Sequence, residues 1–332
     1  MIDLNSCNKV AISRTDAIGD VILTLPLAGV LKKYWPHLKI IFLAKNYTLP
    51  IVQRSKYVDE AWSEESFSGQ SANDRAEFLK QQNIDVFFHI FPNKIWSLAA
   101  KKAKIALRVG TLRRWHHFLN CNVRINMSRK KSDLHELELN LMLLKKSVID
   151  FPELKSLKPY YQFYGFKVEP LKENHDGRKS IILHPGSRGS SKDWPVHRFV
   201  ELSKTLPKNE YKVFISGTEE EGQRFRSFFA FDADIVDISG TKNLSEFMDF
   251  IASADALVAN STGPLHIAAA VGTHAVGIYP PVRPVHPGRW APIGEKAEYI
   301  VADKPNCKLC TKTKNCFCVE SISVEQILYA LS

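Results

Sequence analysis

Three stretches of this chain carry residues whose types and spacing suit chemistry on an anionic substrate. The first is Arg14-Thr-Asp-Ala-Ile-Gly-Asp20, which sets a carboxylate in the opening turn of a helix just past an apolar strand, Lys9 to Ser13. A carboxylate there serves as a general base or simply as an acid favoured by the helix dipole, and Gly-Asp alone does not separate the two. The second is Pro185-Gly-Ser-Arg-Gly-Ser-Ser-Lys-Asp-Trp-Pro195, where Ser187, Ser191 and Lys192 follow the buried-strand pattern of Ser180 to His184. Amides, hydroxyls and cations gathered past a strand end invite a phosphate. The third runs from Ala254 to Pro281 as strand, turn, helix, turn, strand. Its turn, Asn260-Ser261-Thr262-Gly263, precedes Pro264 at a helix start, and the helix runs through His266 to Gly272. Free N–H groups and a helix dipole aimed at one point favour an anion, although an ordinary turn with a Ser/Thr cap uses the same residues.

Two further features bear on the substrate. Gly217 followed by Thr218-Glu-Glu-Glu221 puts acids where a strand meets a helix, and one of them could accept both hydroxyls of a ribose; acids at a helix start also suit its dipole. From Arg108 to Glu136 the chain interleaves Arg113, Arg114, Arg124, Arg129, Lys130 and Lys131 with Trp115, His116, His117 and His135. Aromatics among arginines suit a phosphorylated sugar or a lipid headgroup better than a merely solvated face.

Other chemistries lack their marks. Only Gly19 stands in the first turn, so no G-x-G-x-x-G dinucleotide fingerprint is present, and no G-K-[ST] opens a helix after Ser180–His184. Asp232-Ala-Asp234 has the spacing of a metal–diphosphate bridge but precedes an apolar run and is expected to be structural. Cys307, Cys310, Cys316 and Cys318 follow C-x2-C-x5-C-x-C, which is not a common zinc spacing, so reduced thiols and no metal are expected.

The elements that must position these residues alternate strand and helix. Strands are expected at Lys9–Ser13, Leu38–Ala44, Ile84–Ile90, Ile105–Val109, Ser180–His184, Tyr211–Gly217, Asp234–Ile238, Ala256–Ala259 and Ala275–Tyr279. One amphipathic helix is expected from Val21 to Pro36, and others at Glu136–Ser147, from His197, and at Leu244–Ala252 and Ile322–Leu331. The pattern is that of doubly wound parallel sheets. Residues 151–176 are poorly periodic and suit a linker, after which the plan restarts.

With 332 residues the chain suits two domains, and its 45% hydrophobic content is that of a folded protein. No apolar run reaches membrane-span length, and no secretory signal is visible, so a cytoplasmic location is expected. The formal charge of +10 implies anionic company. Nucleic acid falls behind as a partner because its usual motifs are missing.

RTDAIGDVILTLPLAGVLKKYWP, HPGSRGSSKDWP, GTEEE from Gly217, and NSTGPLHIAAAVGT together resemble glycosyltransferase family 9, the lipopolysaccharide heptosyltransferases. RVGTLRRWHH and SRKKSDLHE add to the likeness, which covers nearly the whole chain in order. The resemblance implies an α/β GT-B architecture: two Rossmann-like domains facing each other across a cleft. They would be 1–160, binding the acceptor, and 175–318, binding the nucleotide sugar, with 319–332 a helix packing back on the first domain. It further implies inverting, metal-independent transfer from ADP-heptose to a sugar of a lipid A–core acceptor, without a cofactor. By the same resemblance Asp20 is the base and Lys192 contacts donor phosphate. The donor site takes in Ser187, Ser191, Gly217, Glu221 (or Glu219 or Glu220), Ser261, Thr262, Gly263 and His266. Gly19, Arg113, Arg114 and His116 meet an anionic lipid-linked acceptor at the inner-membrane surface. One departure stands out. Ser261 occupies a place where the family carries an aspartate, which puts the identity of the sugar in question. Rival readings are transfer of another nucleotide sugar to a surface polysaccharide, and a GT-B-shaped binding protein without turnover.

Overall fold

The computed structural model describes residues 4–129, 132–147, 160–167, 177–187, 189, 192–283, 285–303 and 318–332. The chain divides into two compact units, Met1–Tyr164 and Gly165–Ser332. In the first, strands β1 (Lys9–Ser13), β2 (Lys39–Ala44), β3 (Glu60–Ser63), β4 (Val86–His89), β5 (Leu107–Thr111) and β6 (Val123–Ile125) form a parallel sheet ordered β3-β2-β1-β4-β5-β6. In the second, β7 (Lys179–His184), β8 (Tyr211–Ile215), β9 (Ile235–Asp237), β10 (Ala256–Asn260), β11 (His274–Tyr279) and β12 (Ala297–Val301) are ordered β12-β11-β10-β7-β8-β9. Counted from its own first strand, each sheet has the same order, 3-2-1-4-5-6. The topology is duplicated although no repeat shows in the sequence, because each unit winds crossovers outward in both directions from its first strand.

Helices on both faces explain why the central strands are unbroken apolar runs. Residues 256–260 of β10 and 86–89 of β4 are buried throughout. In the first unit Ala11, Ile41, Phe87 and Trp96 share one core cluster; in the second Ile181, Val258, Phe199 and Trp194 share another. The strands β3, β6 and β12 escape the sequence pattern. They are the outermost strands of their sheets and bury too little to carry an apolar signature.

The helix expected from Val21 to Pro36 is two helices, α1 (Ile18–Ile22) and α2 (Leu25–Tyr34). Pro26 cannot donate an N–H, and its ring would clash with the carbonyl four residues earlier, so the chain breaks at Leu23 and Thr24. The helices that follow are α3 (Leu49–Gln53), α4 (Ala72–Gln81), α5 (Lys94–Lys102), α6 (Trp115–Asn120) and α7 (Glu136–Leu141). The second unit adds α8 (Val196–Thr205), α9 (Glu219–Phe225), α10 (Leu244–Ser253), α11 (Gly263–Val271), α12 (Pro287–Trp290) and α13 (Val324–Leu331). Pro264 is an early residue of α11, and Gly272 ends that helix in the left-handed region at φ 93°. Val324, Ile327 and Leu331 of α13 lie in the second unit's core, where Trp194 Nε1 donates to Ile322 O at 2.9 Å.

Candidate active site

In a doubly wound sheet, ligands collect at the carboxyl ends of the strands where the winding reverses. That point lies between β1 and β4 in the first unit and between β7 and β10 in the second. The first sequence motif follows β1, and the second and third follow β7 and β10.

In the first unit Arg14 extends β1, its N–H bonding Leu43 O at 3.0 Å, while its buried side chain gathers acids from three places. Nε donates to Asp16 Oδ1 at 2.7 Å, Nη2 pairs with Asp20 Oδ1, and Nη1 reaches Glu136 Oε1 at 3.1 Å and Asn140 Oδ1 at 3.4 Å. Arg129 pairs with Glu136 through Nη1 and donates to Asn140 Oδ1 through Nη2 at 2.9 Å. Two guanidinium groups therefore face three carboxylates. Asn140 also donates to Leu23 O at 2.8 Å and to Thr24 Oγ1 at 3.0 Å, and Thr24 Oγ1 donates to Asp20 O at 2.8 Å. The break between α1 and α2 is thus closed by the same network that holds Asp20. Burial pushes the Asp16 carboxyl up to about 6, Arg14 opposing and Asp20 adding to the rise. Among the described residues nothing bonds Asp20 Oδ2.

In the second unit Asn260 ends β10 and pins both ends of the loop after β7: Nδ2 donates to Pro185 O at 2.8 Å, and Oδ1 accepts from Trp194 N at 2.8 Å. Inside that loop Ser187 is buried, and its Oγ accepts from Gly189 N at 3.2 Å. Ser187, Lys192, Asp193 and Glu221 form one cluster. Burial raises the Asp193 carboxyl, the Ser187 hydroxyl lowers it, Glu221 raises it and Lys192 lowers it. The three glutamates at the start of α9 separate cleanly. Glu219 pairs with Arg226 at 3.1 Å and Glu220 with Arg224, while Glu221 is buried, its Oε2 accepting from Thr218 N at 2.9 Å and Oγ1 at 3.1 Å. Glu221 lies directly beneath Gly186, where any Cβ would overlap its carboxylate. Gly217 packs closely, since a Cβ there would press on Phe225 Cζ at 3.0 Å and on Glu221 Cβ at 3.2 Å.

At the amino end of α11, Thr262 occupies the cap position without a side-chain cap bond. Its Oγ1 and His266 Nδ1 are buried with no partner among the described residues. The two are four residues apart and share a helix face. Burial pushes His266 down to about 4, so its imidazole is neutral at pH 7. Orphaned buried polar atoms cost about 1–3 kcal/mol each, and here they stand beside helix amides that have no intrahelical partner. Ser261 hydrogen-bonds the buried Tyr279 hydroxyl.

Thus Asp20 joins one network, with Gly19 just before it in α1; Ser187, Lys192 and Glu221 gather at one loop with Gly217 packed beside Glu221, and Ser261, Thr262, Gly263 and His266 stand at the turn after β10. Arg113, Arg114 and His116 sit apart from Asp20. They follow β5, two strands from β1, on the order of 10 Å at the usual strand spacing. Ser191, Cys307, Cys310 and Cys316 lie outside the described residues, and Cys318 is buried. Among the described residues no group of three His, Cys, Asp or Glu side chains could hold a metal. Asp232 and Asp234 are structural, pairing with Lys208 at 2.7 Å and Arg178 at 2.7 Å. The sequence motifs contain Arg14, Asp16, Asp193 and Asn260 without giving any of them a role of its own, and Glu136 and Asn140 carry no site role in the sequence. One signal was available: Glu136 and Asn140 stand at i and i+4 in the short helix ELELNL, a spacing that puts both on one face.

The sequence matches glycosyltransferase family 9 (heptosyltransferase) over residues 77–319. A Haemophilus influenzae protein with a provisional glycosyltransferase assignment is 26% identical, over 98% of this chain and 96% of its own. Lipooligosaccharide heptosyltransferase 2 of Haemophilus influenzae is also 26% identical, with 85% of each chain covered. The structure of Escherichia coli ADP-heptose lps heptosyltransferase II superimposes with a TM-score of 0.72 at 20% identity, covering 98% of this chain and 97% of that one. Two parallel six-stranded sheets with helices on their faces are the GT-B fold of those enzymes. The chain belongs to glycosyltransferase family 9, the heptosyltransferase family, and is a glycosyltransferase.

Proposed function

We propose that the protein moves heptose from ADP-heptose onto a sugar hydroxyl of a lipopolysaccharide core or lipid A-linked acceptor, with inversion and without a metal ion. The observation that carries this reading is the pair of buried, unpartnered polar atoms, Thr262 Oγ1 and His266 Nδ1, at the free amides of α11. A polar anionic ligand there would satisfy both. The names of the heptosyltransferase relatives supply the donor and the acceptor class.

In this reading the acceptor hydroxyl gives its proton to Asp20 Oδ2 as its oxygen bonds the anomeric carbon. The bond from that carbon to the diphosphate breaks on the opposite side, and its electron pair leaves with ADP. Lys192, the amides of the loop after β7 and the amino end of α11 stabilise the growing negative charge, and Ser187, Ser191, Ser261 and Gly263 are further donor contacts. Glu221 accepts the adenosine ribose hydroxyls beside Gly217. Gly19, Arg113, Arg114 and His116 meet the acceptor. A lipid-anchored acceptor would bring the enzyme to the cytoplasmic face of the inner membrane.

Calorimetric titration of ADP, GDP and UDP into metal-free protein tests the donor. Preference for ADP is expected, and absence of binding by any of the three would remove the donor site. The bond between Ser261 and Tyr279 favours a second reading. A hydroxyl turned to a neighbouring strand grips a sugar less firmly than the carboxylate of the family pattern, which suits transfer of a different sugar. Turnover with ADP-, GDP- and UDP-sugars side by side separates the two.

A further inference from the structure

We infer that α6 and the residues flanking it form a docking surface for an anionic phospholipid bilayer. The helix is amphipathic in reverse. His117 and Asn120 are buried, whereas Trp115, Phe118 and Leu119, spaced i, i+3, i+4, are 62, 55 and 56% exposed. Leu112 and Ile95 extend the patch, which thus holds five of the eleven exposed large apolar side chains among the described residues. Such clustering, unlike scattered apolar residues, marks an interaction site.

The stretch of chain that builds the patch carries charge of one sign. No aspartate or glutamate occurs between Asp85 and Asp133. Lys94 Nζ lies 5.2 Å from the Trp115 ring centroid, and the Arg124 guanidinium lies 4.8 Å from that of Phe118 and donates to Phe118 O at 3.0 Å. Lys101 Nζ donates to Leu119 O at 2.9 Å. The cations are therefore held against the apolar helix itself, with Arg113 and Arg114 exposed just before it.

An anionic bilayer fits both halves of this surface. Its headgroup phosphates match the cations, and its interfacial zone takes in Trp, Phe and Leu side chains. A second copy of the chain fits worse, since a two-fold interface would set this cationic patch against itself. The patch begins just past the carboxyl end of β5, and every strand of that sheet is parallel, so its Trp115 end lies toward the same end of the sheet as Asp20. The inference rests on the proposed function only for which membrane is met.

Vesicle co-sedimentation tests it without donor or acceptor, so its failure is distinguishable from failure of the heptosyltransferase reading. The protein is expected to bind vesicles of mixed phosphatidylglycerol and phosphatidylcholine, to bind phosphatidylcholine alone far less, and to be released by salt. The triple variant Trp115→Gln, Phe118→Gln, Leu119→Gln is expected to lose roughly tenfold or more in partition, and Lys94→Gln roughly fivefold. Unchanged circular dichroism and thermal unfolding would show that the variants fold. Equal binding to both vesicle types, or a folded triple variant that binds like the parent, would overturn the inference. So would concentration-dependent self-association that the triple variant abolishes.

Discussion

Replacing Asp16 by Asn should stabilise the protein at neutral pH, although the change removes a partner from a buried arginine. Burial raises the Asp16 carboxyl from 3.8 to about 6, the attraction of Arg14 being too weak to offset it. Between those values the folded chain holds a proton that the unfolded chain has released. Stability is therefore lost as the pH rises through that window, and the penalty is complete above it. At about 1.36 kcal/mol per pH unit the full penalty is about 3 kcal/mol. The side chain is 23% exposed, and an amide oxygen accepts more weakly from Arg14 than a carboxylate does. The expected net gain at pH 8 is then about 1–2 kcal/mol. Urea unfolding at pH 8, 6 and 4 measures it, with the difference from the parent shrinking as the pH falls. A variant no more stable at pH 8, or a gain independent of pH, would refute the account of Asp16 as a carboxylate held at a cost. Such a cost suits a group kept beside Asp20 for function, and transfer rates should then lose any pH-dependent limb near 6.

Three other outcomes are expected. Asp20→Ala should leave nucleotide affinity near that of the parent and lower transfer by roughly 10²–10⁴-fold, the range of a general base; equal turnover would assign the proton elsewhere. Lys192→Ala should weaken ADP binding and slow transfer together, and unchanged affinity by calorimetry would end its phosphate role. Thr262→Val should leave unfolding in urea unchanged or shifted upward by about 1 kcal/mol, since its hydroxyl is buried without a partner, while reducing ADP affinity; loss of stability with intact affinity would make the hydroxyl structural.

Much of the fold was legible because the central strands are buried on both faces. The apolar runs at the centres of β1, β7 and β10 (residues 10–12, 181–183 and 256–259) are bounded by polar and turn residues, so the pattern alone locates them. The helix break at Leu23–Thr24 was also written in the sequence, in Pro26, but a continuous apolar stripe overrode it. The edge strands β3, β6 and β12 were not legible, since they pair on one side and carry polar residues. Glu221 could be favoured over Glu219 and Glu220 only by resemblance, because all three suit a helix start. The fold separates them by giving the outer two to Arg226 and Arg224.

The sequence by itself determined what depends on neighbours along the chain: the alternation of strand and helix, the hydroxyl-rich turn before α11, and the carboxylate in the first turn of α1. Tertiary structure decided what depends on residues far apart. Arg14 meets Glu136 and Asn140 across more than a hundred residues, and Asn260 clamps Pro185 and Trp194 from a strand that arrives much later. The reason is physical. A strand order that places the first strand of a unit beside its fourth is fixed by crossover packing, and only then do the loops after both strands share one end of the sheet. Local pattern says that a carboxylate or an asparagine stands at a strand end; the winding of the sheet decides which distant side chain it meets there.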